Sequence, residues 1–317
     1  MSKSGSTRAA PLTAVLLAMS VLFAPSPSHA LDLGIALTPP AMVGKYVLRY
    51  SGSTQAWVHQ QNANISLPLY RDEKDSWTFS SGFQSLDISP DQSSTPNLYN
   101  IQFGGTYAHQ LEGGKSLSVN GSFGSASDRP FADSTVNTLS GTILYSFPNG
   151  PASSWLLLLN YSNNRPILNN IPLPGIAYTY APSKTFRGTF GAPFASIYWQ
   201  FADKWSVTSF TVAPWIIKTS VAYAVVFPMQ IFAGVDFSQE TFLQYGRSNL
   251  KDRIYYDEKK VFVGCKSPLS RTLFAELETG YALNRSMFSA QTYTLSPVNP
   301  TDLGSSFYGK LAITATF

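Results

Sequence analysis

The chain ends with the nine residues GKLAITATF, Gly309 to Phe317, in which apolar and polar side chains alternate. Successive side chains of a β-strand point to opposite faces, so Leu311, Ile313 and Phe317 share one face while Lys310 lies on the other. The pattern predicts a strand that separates an apolar environment from a polar one.

The same alternation recurs along the chain in runs of about 9 to 13 residues, the length that a tilted strand needs to cross a bilayer. Turn-forming sequences such as RDEKD, EGGK, FPNGPAS and SPLSR separate these runs. Strands are predicted near 54–69, 76–88, 97–110, 116–127, 137–147, 154–164, 218–227, 229–242, 255–266, 271–283 and 306–317. The proline-rich stretch 171–215 is expected to add two to four short strands, residues 43–50 one more, and 284–305 a long loop.

The composition decides what surrounds these strands. Hydrophobic residues make up 44% of the chain and charged residues only 13%, whereas soluble domains carry about 25% charged residues. The polar faces consist mostly of Ser, Thr, Asn, Gln and Gly, which suits the interior of a barrel better than the outside of a soluble sandwich. Only a closed barrel spans a membrane in β form, because every strand edge must be paired.

The sequence therefore predicts an all-β fold, an antiparallel transmembrane β-barrel over residues 43–317. An even count with both termini in the periplasm gives about 12 to 14 strands, with 16 possible. A soluble sandwich with an aromatic core stays open as the alternative. Aromatic residues near the strand ends are typical of the belts at membrane interfaces; they are Trp57, Tyr70, Trp77, Tyr99, Trp155, Trp199, Trp205 and Trp215.

The N-terminus is typical of a secretory signal peptide. Basic residues Lys3 and Arg8 precede a short apolar core, Leu12 to Phe23, and the small residues SHA end at Ala30. We expect cleavage after Ala30, which leaves residues 31–42 as a periplasmic segment; an anchoring helix is the alternative. Export and a terminal aromatic predict the outer membrane of a Gram-negative bacterium, with Phe317 read by the barrel assembly machinery.

The sequence offers few residues for catalysis or metal binding. Cys265 is the only cysteine, and only His59 and His109 follow the signal peptide, so neither a metal site nor another cofactor is predicted. A serine hydrolase would need one of these histidines beside a serine. The whole chain has 22 Lys and Arg against 18 Asp and Glu, too balanced to indicate a nucleic-acid partner.

Charged residues on the polar faces are the candidates for function. Asp236, Glu276, Glu278 and Lys310 are predicted to line the lumen, where they form either a structural ion pair or a constriction that selects solutes by charge.

Two stretches, IPLPGIAYTYAPSKTFRGTFGAPFASIYWQFADKWS (171–206) and SVAYAVVFPMQIFAGVDFSQETFLQYG (220–246), resemble a family of uncharacterised bacterial outer-membrane β-barrel proteins. The matching features are PLPGIAY, GAPF, FADKW and FAGVDFSQE. The resemblance implies a barrel among outer-membrane lipids and carries over neither a substrate nor a catalytic residue. We predict a porin-like passive channel for a small solute; an outer-membrane lipid-modifying hydrolase and a plugged structural barrel are the alternatives.

Overall fold

The computed structural model describes residues 42–317 except 54–55, 91–96, 213–215, 227, 295–296 and 298–299. The predicted signal peptide with Ala30, residues 31–41 and Trp215 lie outside the described residues. In the described chain, no helix is long and apolar enough to cross a membrane. The strands are β1 Val43–Gly52, β2 Ala56–Arg71, β3 Asp75–Pro90, β4 Leu98–Gln110, β5 Ser116–Ser127, β6 Asn137–Pro148, β7 Ser153–Ser162, β8 Leu173–Tyr180, β9 Phe186–Ala192, β10 Phe194–Ala202, β11 Trp205–Val212, β12 Ile216–Val226, β13 Met229–Phe242, β14 Arg253–Pro268, β15 Leu273–Ala290 and β16 Thr301–Thr316.

The sixteen strands form one closed antiparallel barrel. Each strand pairs with its neighbours in sequence, and β16 pairs with β1 from Val43↔Thr316 to Ser51↔Tyr308. The seam is tied at its end by Phe317 N–H donating to the carbonyl of Met42 at 2.9 Å, and by the reciprocal bond at 3.1 Å. The predicted all-β barrel is confirmed, at the largest strand number that the sequence allows.

The additional strands come from the proline-rich region, which contains four short ones, β8 to β11. One prediction is wrong. The loop expected at 284–305 is shorter, because β15 continues to Ala290 and β16 begins at Thr301. A register shift between Ala282 and Arg285 interrupts the pairing of β15 with β16, which resumes after it. The alternation of inward and outward side chains is broken at this point, although the strand continues.

The two ends of the barrel differ. At one end lie Met42, Phe317 and connections of two to five residues, such as 203–204; we call it the short-turn end. At the other end lie the longer connections 128–136, 163–172, 243–252 and 291–300; we call it the long-loop end. Short turns on one side and long loops on the other are usual for outer-membrane barrels.

The outer surface of the barrel is apolar. In β16 and the residue after it, the exposed fractions are 77% for Phe307, 40% for Leu311 and 68% for Phe317, whereas the alternate residues Tyr308 and Ala312 are buried inside. Cys265 lies on the outward face with Val261 and Val263. Because an apolar exterior of this extent requires hydrocarbon around it, the apolar face of GKLAITATF is the lipid-facing one.

Outward aromatic pairs lie at both ends of the strands. At the short-turn end they are Trp77–Tyr107, Trp155–Tyr178 and Trp205–Tyr223, with ring centroids 4.7, 5.0 and 4.9 Å apart. At the long-loop end Tyr50 and Trp57 are 5.3 Å apart. Such aromatic rings mark the two membrane interfaces of a transmembrane barrel.

Deletion of Phe317 should reduce the amount of folded protein in the outer membrane several-fold. The deletion removes the last pair of backbone hydrogen bonds of the seam and the outward terminal ring together. Heat-modifiable migration of outer-membrane fractions measures the folded amount. Phe307→Leu, at another exposed outward aromatic, is the control. Equal folded amounts in the deletion variant and the native protein would contradict a role of Phe317 in assembly.

Candidate lumen site and closing hairpin

The inward side chains divide the lumen into a charged wall and an uncharged wall. The charged wall is formed by β12 to β16 with β1, and basic side chains outnumber acidic ones on it. Its charged members are Lys45, Arg49, Lys218, Asp236, Glu240, Glu258, Lys260, Lys266, Glu276, Glu278, Arg285 and Lys310. Among the described residues, the inward side chains of β3 to β8 include none that is charged. Arg71 at the short-turn end of β2 and Arg187 on β9 also have inward parity.

The uncharged wall is a ladder of hydroxyl and amide groups. Asn120 Nδ2 donates to Thr106 Oγ1 at 2.9 Å, and Asn160 Nδ2 donates to Thr142 Oγ1 at 2.9 Å. Beside the ladder, β6 to β12 contribute an apolar inner cluster that includes Leu158. A solute in the lumen therefore meets neutral groups on one side and full charges on the other.

Three of the four residues predicted to line the lumen lie together. Lys310 Nζ is 2.8 Å from Glu276 Oε1 and 2.7 Å from Glu278 Oε2. Glu278 also accepts a hydrogen bond from the Tyr308 hydroxyl at 2.7 Å. Direct register pairing of Glu278 with Lys310 across β15 and β16 produces the contact.

The fourth residue, Asp236, lies apart on β13 between two lysines. Its Oδ2 is 3.4 Å from Lys260 Nζ and 3.7 Å from Lys218 Nζ. Lys218 and Lys260 are register partners of Asp236 on the two neighbouring strands. The structure therefore contains two ion-pair groups on the charged wall.

A buried ion pair that the sequence analysis missed extends the Asp236 group. Arg49 on β1 bonds to Glu258 on β14, and the two residues are 4% and 3% exposed. Lys260 Nζ lies 3.1 Å from Glu258 Oε2. Glu258, Lys260 and Phe262 alternate with the outward Val261, so the sequence indicated that Glu258 and Lys260 point into the lumen. It could not indicate that Arg49 lies nearby, because β1 comes close to β14 only when the barrel closes between β1 and β16.

Glu240 spans the lumen between opposite parts of the wall. From β13, its carboxylate accepts hydrogen bonds from Gln60 Nε2 on β2 at 3.0 Å and from Gln84 Nε2 on β3 at 2.7 Å. All three side chains are buried. This link narrows the lumen towards the long-loop end.

The link belongs to a segment that folds inward over the lumen. Gln239 to Leu243 at the end of β13, and Arg253 to Tyr256 at the start of β14, are buried at every consecutive position. Successive residues of a strand point to opposite faces, so burial at every position means that both faces of this segment are covered. We call residues 239–256 the closing hairpin.

One face of the closing hairpin packs on the uncharged wall. Phe242, Ile254 and Tyr256 join a buried apolar cluster with residues of β2, β3, β4, β5 and β16. At the tip, Leu243 N–H donates to the carbonyl of Ala126 at 2.7 Å. This bond fastens the end of β13 to the end of β5, across the barrel.

The connection 163–172 covers the other face. Asn164 Nδ2 donates to the carbonyl of Thr241 at 3.2 Å, and Tyr255 Oη donates to the carbonyl of Pro166 at 3.3 Å. Arg247 at the tip donates to the carbonyl of Thr135 at 2.7 Å. Opposite walls and two loops thus hold the closing hairpin in place.

The two histidines lie on the outer face and away from the lumen. His109 Nδ1 is 2.8 Å from Asp75 Oδ1 at the short-turn end, and the same oxygen accepts from Tyr107 Oη. In the adjacent turn, hydrogen bonds from the Tyr70 hydroxyl and from backbone N–H groups lower the pKa of Asp72. His59 stands beside Tyr50 at the long-loop end.

No family model and no curated relative matches the sequence. An outer-membrane channel from Pseudomonas putida F1 is 9% identical, with 89% of this chain and 97% of that chain covered and a TM-score of 0.39. A Pseudomonas aeruginosa FadL homologue is 11% identical, with coverages of 88% and 91% and a TM-score of 0.40. A mutant of the Rh. blastica porin is 12% identical, with coverages of 87% and 99% and a TM-score of 0.40. At these identities no residue role passes to this chain.

The lumen is more accessible from the short-turn end than from the long-loop end. Lys218, Lys310 and Glu276 keep 35%, 21% and 20% of their side-chain surface exposed, while Glu240 and the apolar residues around the closing hairpin are buried. A small solute entering from the short-turn end would reach the ion pairs before it reached the closing hairpin.

Proposed function

We propose that this protein is a passive channel of the bacterial outer membrane for small polar solutes, which the closing hairpin obstructs at the long-loop end so that it opens only briefly. The observation that supports the proposal is the partly exposed ion-pair wall facing an uncharged hydroxyl wall. Rings and rows of charged side chains in a lumen select solutes by charge. The proposal places the short-turn end in the periplasm.

The packing around the closing hairpin favours a second function, a plugged structural barrel. Reconstitution in planar bilayers separates the two. A channel gives stepwise currents in the native protein or, at the least, in a variant that lacks the closing hairpin. If neither protein conducts, the barrel is a plugged scaffold and the channel proposal fails.

Charge substitutions in the Lys310 cluster should change ion selectivity in opposite directions. Glu278→Gln leaves Lys310 with one carboxylate and shifts the permeability ratio towards chloride. Lys310→Gln leaves two carboxylates without their shared cation and shifts the ratio towards potassium, by the larger amount. Reversal potentials under a potassium chloride gradient measure both shifts.

The control for this experiment is Lys259→Gln, which removes a lysine from the exposed outer face two residues from Val261. Its reversal potential should equal that of the native channel. Identical reversal potentials for all four proteins would mean that the current does not pass the charged wall.

A further inference from the structure

Inward-facing phenylalanines interrupt the polar lining of the charged wall near the short-turn end. Phe232 on β13 and Phe262 on β14 share the inward parity of Asp236 and Lys260, and their ring centroids are 6.0 Å apart at 70°. Phe274 lies at the start of β15. Lipid-facing residues would have the opposite parity, so these rings are part of the lumen surface.

Two glycines give the phenylalanine rings their position. A Cβ at Gly264 would stand 2.5 Å from Phe232 Cζ, and a Cβ at Gly234 would stand 2.8 Å from Phe262 Cζ. Each ring therefore lies over the backbone of the neighbouring strand, where any larger residue would displace it. One ring face packs on the wall, and the half-buried rings turn the rest of their surface to the lumen.

Lysines without a salt bridge lie on the same wall as the rings, and one of them, Lys266, lies beside Phe274. Lys266 is exposed, and its Nζ is 5.9 Å from the centroid of Phe274. On β13 its register partner is Gln230, so Phe232 is its diagonal neighbour. Lys45 lies on the same wall, in register with Thr314, which pairs on its other side with Phe274. Among the described contacts neither Lys45 nor Lys266 has a carboxylate at salt-bridge distance, because Glu276, the register partner of Lys266 on β15, is bonded to Lys310.

We propose that Lys266, Lys45, Phe232, Phe262 and Phe274 form a binding site for a small carboxylate that carries an apolar ring, of the benzoate class. The phenylalanine faces receive the ring of the solute, and the ammonium groups receive its carboxylate. Charge complementarity selects the anion over a neutral solute, and apolar contact selects a ring over a bare anion. The site rests on the proposed channel function, for which it names the solute class.

Equilibrium dialysis of labelled benzoate against the folded barrel in detergent tests the site without any measurement of current. Benzoate should bind more tightly than benzyl alcohol, which has the ring alone, and than acetate, which has the charge alone. Lys266→Gln should weaken benzoate binding roughly tenfold, the loss of one charge-assisted contact. Phe232→Leu should weaken it by a smaller factor.

Two outward substitutions are matched controls. Lys259→Gln and Phe103→Leu change the same residue types on the lipid-facing surface, and both should leave benzoate binding unchanged. Heat-modifiable migration confirms that each variant is folded.

Equal binding of benzoate and benzyl alcohol, or of benzoate and acetate, would overturn the site. So would a loss of binding in the outward controls as large as that in the inward variants. If the barrel conducts chloride but does not bind benzoate, the site fails and the channel stands. If it binds benzoate but never conducts, the channel fails and the site stands.

Discussion

A variant in which Asn-Gly replaces residues 240–256 should conduct at least several-fold more than the native protein. Gln239 and Asp257 are register partners, so a two-residue turn joins them without disturbing the strands below. The replacement removes the Glu240 link, the apolar face with Phe242 and the hairpin tip together. Single-channel recording should show long open times in place of short openings.

Two measurements make this result decisive. Leu250→Ser, at an exposed position of the tip, should leave the currents unchanged. Liposome swelling should show that the variant admits larger neutral solutes than the native barrel, because removal of the closing hairpin widens the lumen and also keeps it open. A variant that folds, inserts and conducts no more than the native protein would mean that the closing hairpin does not obstruct the pathway.

Glu258→Ala should destabilise the barrel by about 3 to 5 kcal/mol, the usual cost of leaving one member of a buried ion pair without its partner. Arg49 is the member left behind, and it is 4% exposed. Urea unfolding in lipid vesicles, followed by tryptophan fluorescence, measures the free energy of unfolding. Lys259→Ala, one residue away and outward, should change this free energy by less than about 0.5 kcal/mol.

A double variant separates the ion pair from packing at the same place. Arg49→Met with Glu258→Leu fills a similar volume without charge, and such replacements of buried pairs are often neutral or stabilising. Most of the stability lost in Glu258→Ala should return. If Glu258→Ala is as stable as the native protein, the Arg49–Glu258 pair does not hold the long-loop half of the wall together.

Much of the fold was accessible from the sequence, because alternation reports the two faces of a strand directly. The predicted strand 229–242 agrees with β13, Met229–Phe242, and the parity of Glu278 and Lys310 was sufficient to place both on the polar face. Parity says nothing about distance across the barrel. The Arg49–Glu258 pair and the Glu240 link join strands that are remote in sequence, so neither could be predicted.

The closing hairpin shows a second limit. Its strand residues, 239–242 and 253–256, continue β13 and β14, and what distinguishes them is burial by distant segments such as 163–172. The error at 284–305 has a local cause instead, since the register shift at Ala282–Arg285 breaks the two-residue period on which the prediction depended. The inward phenylalanines were visible in the sequence, because Phe232 falls on the polar face of its strand.

The β1–β16 seam has a consequence for biosynthesis. The strand made first can find its second partner only when the strand made last has left the ribosome, since Val43 pairs with Thr316. A chain that reached the membrane without β16 would have two unpaired sheet edges, whose backbone groups hydrocarbon cannot satisfy. A truncated translation product is therefore not a narrower pore but an unfinished sheet, which must be chaperoned or degraded.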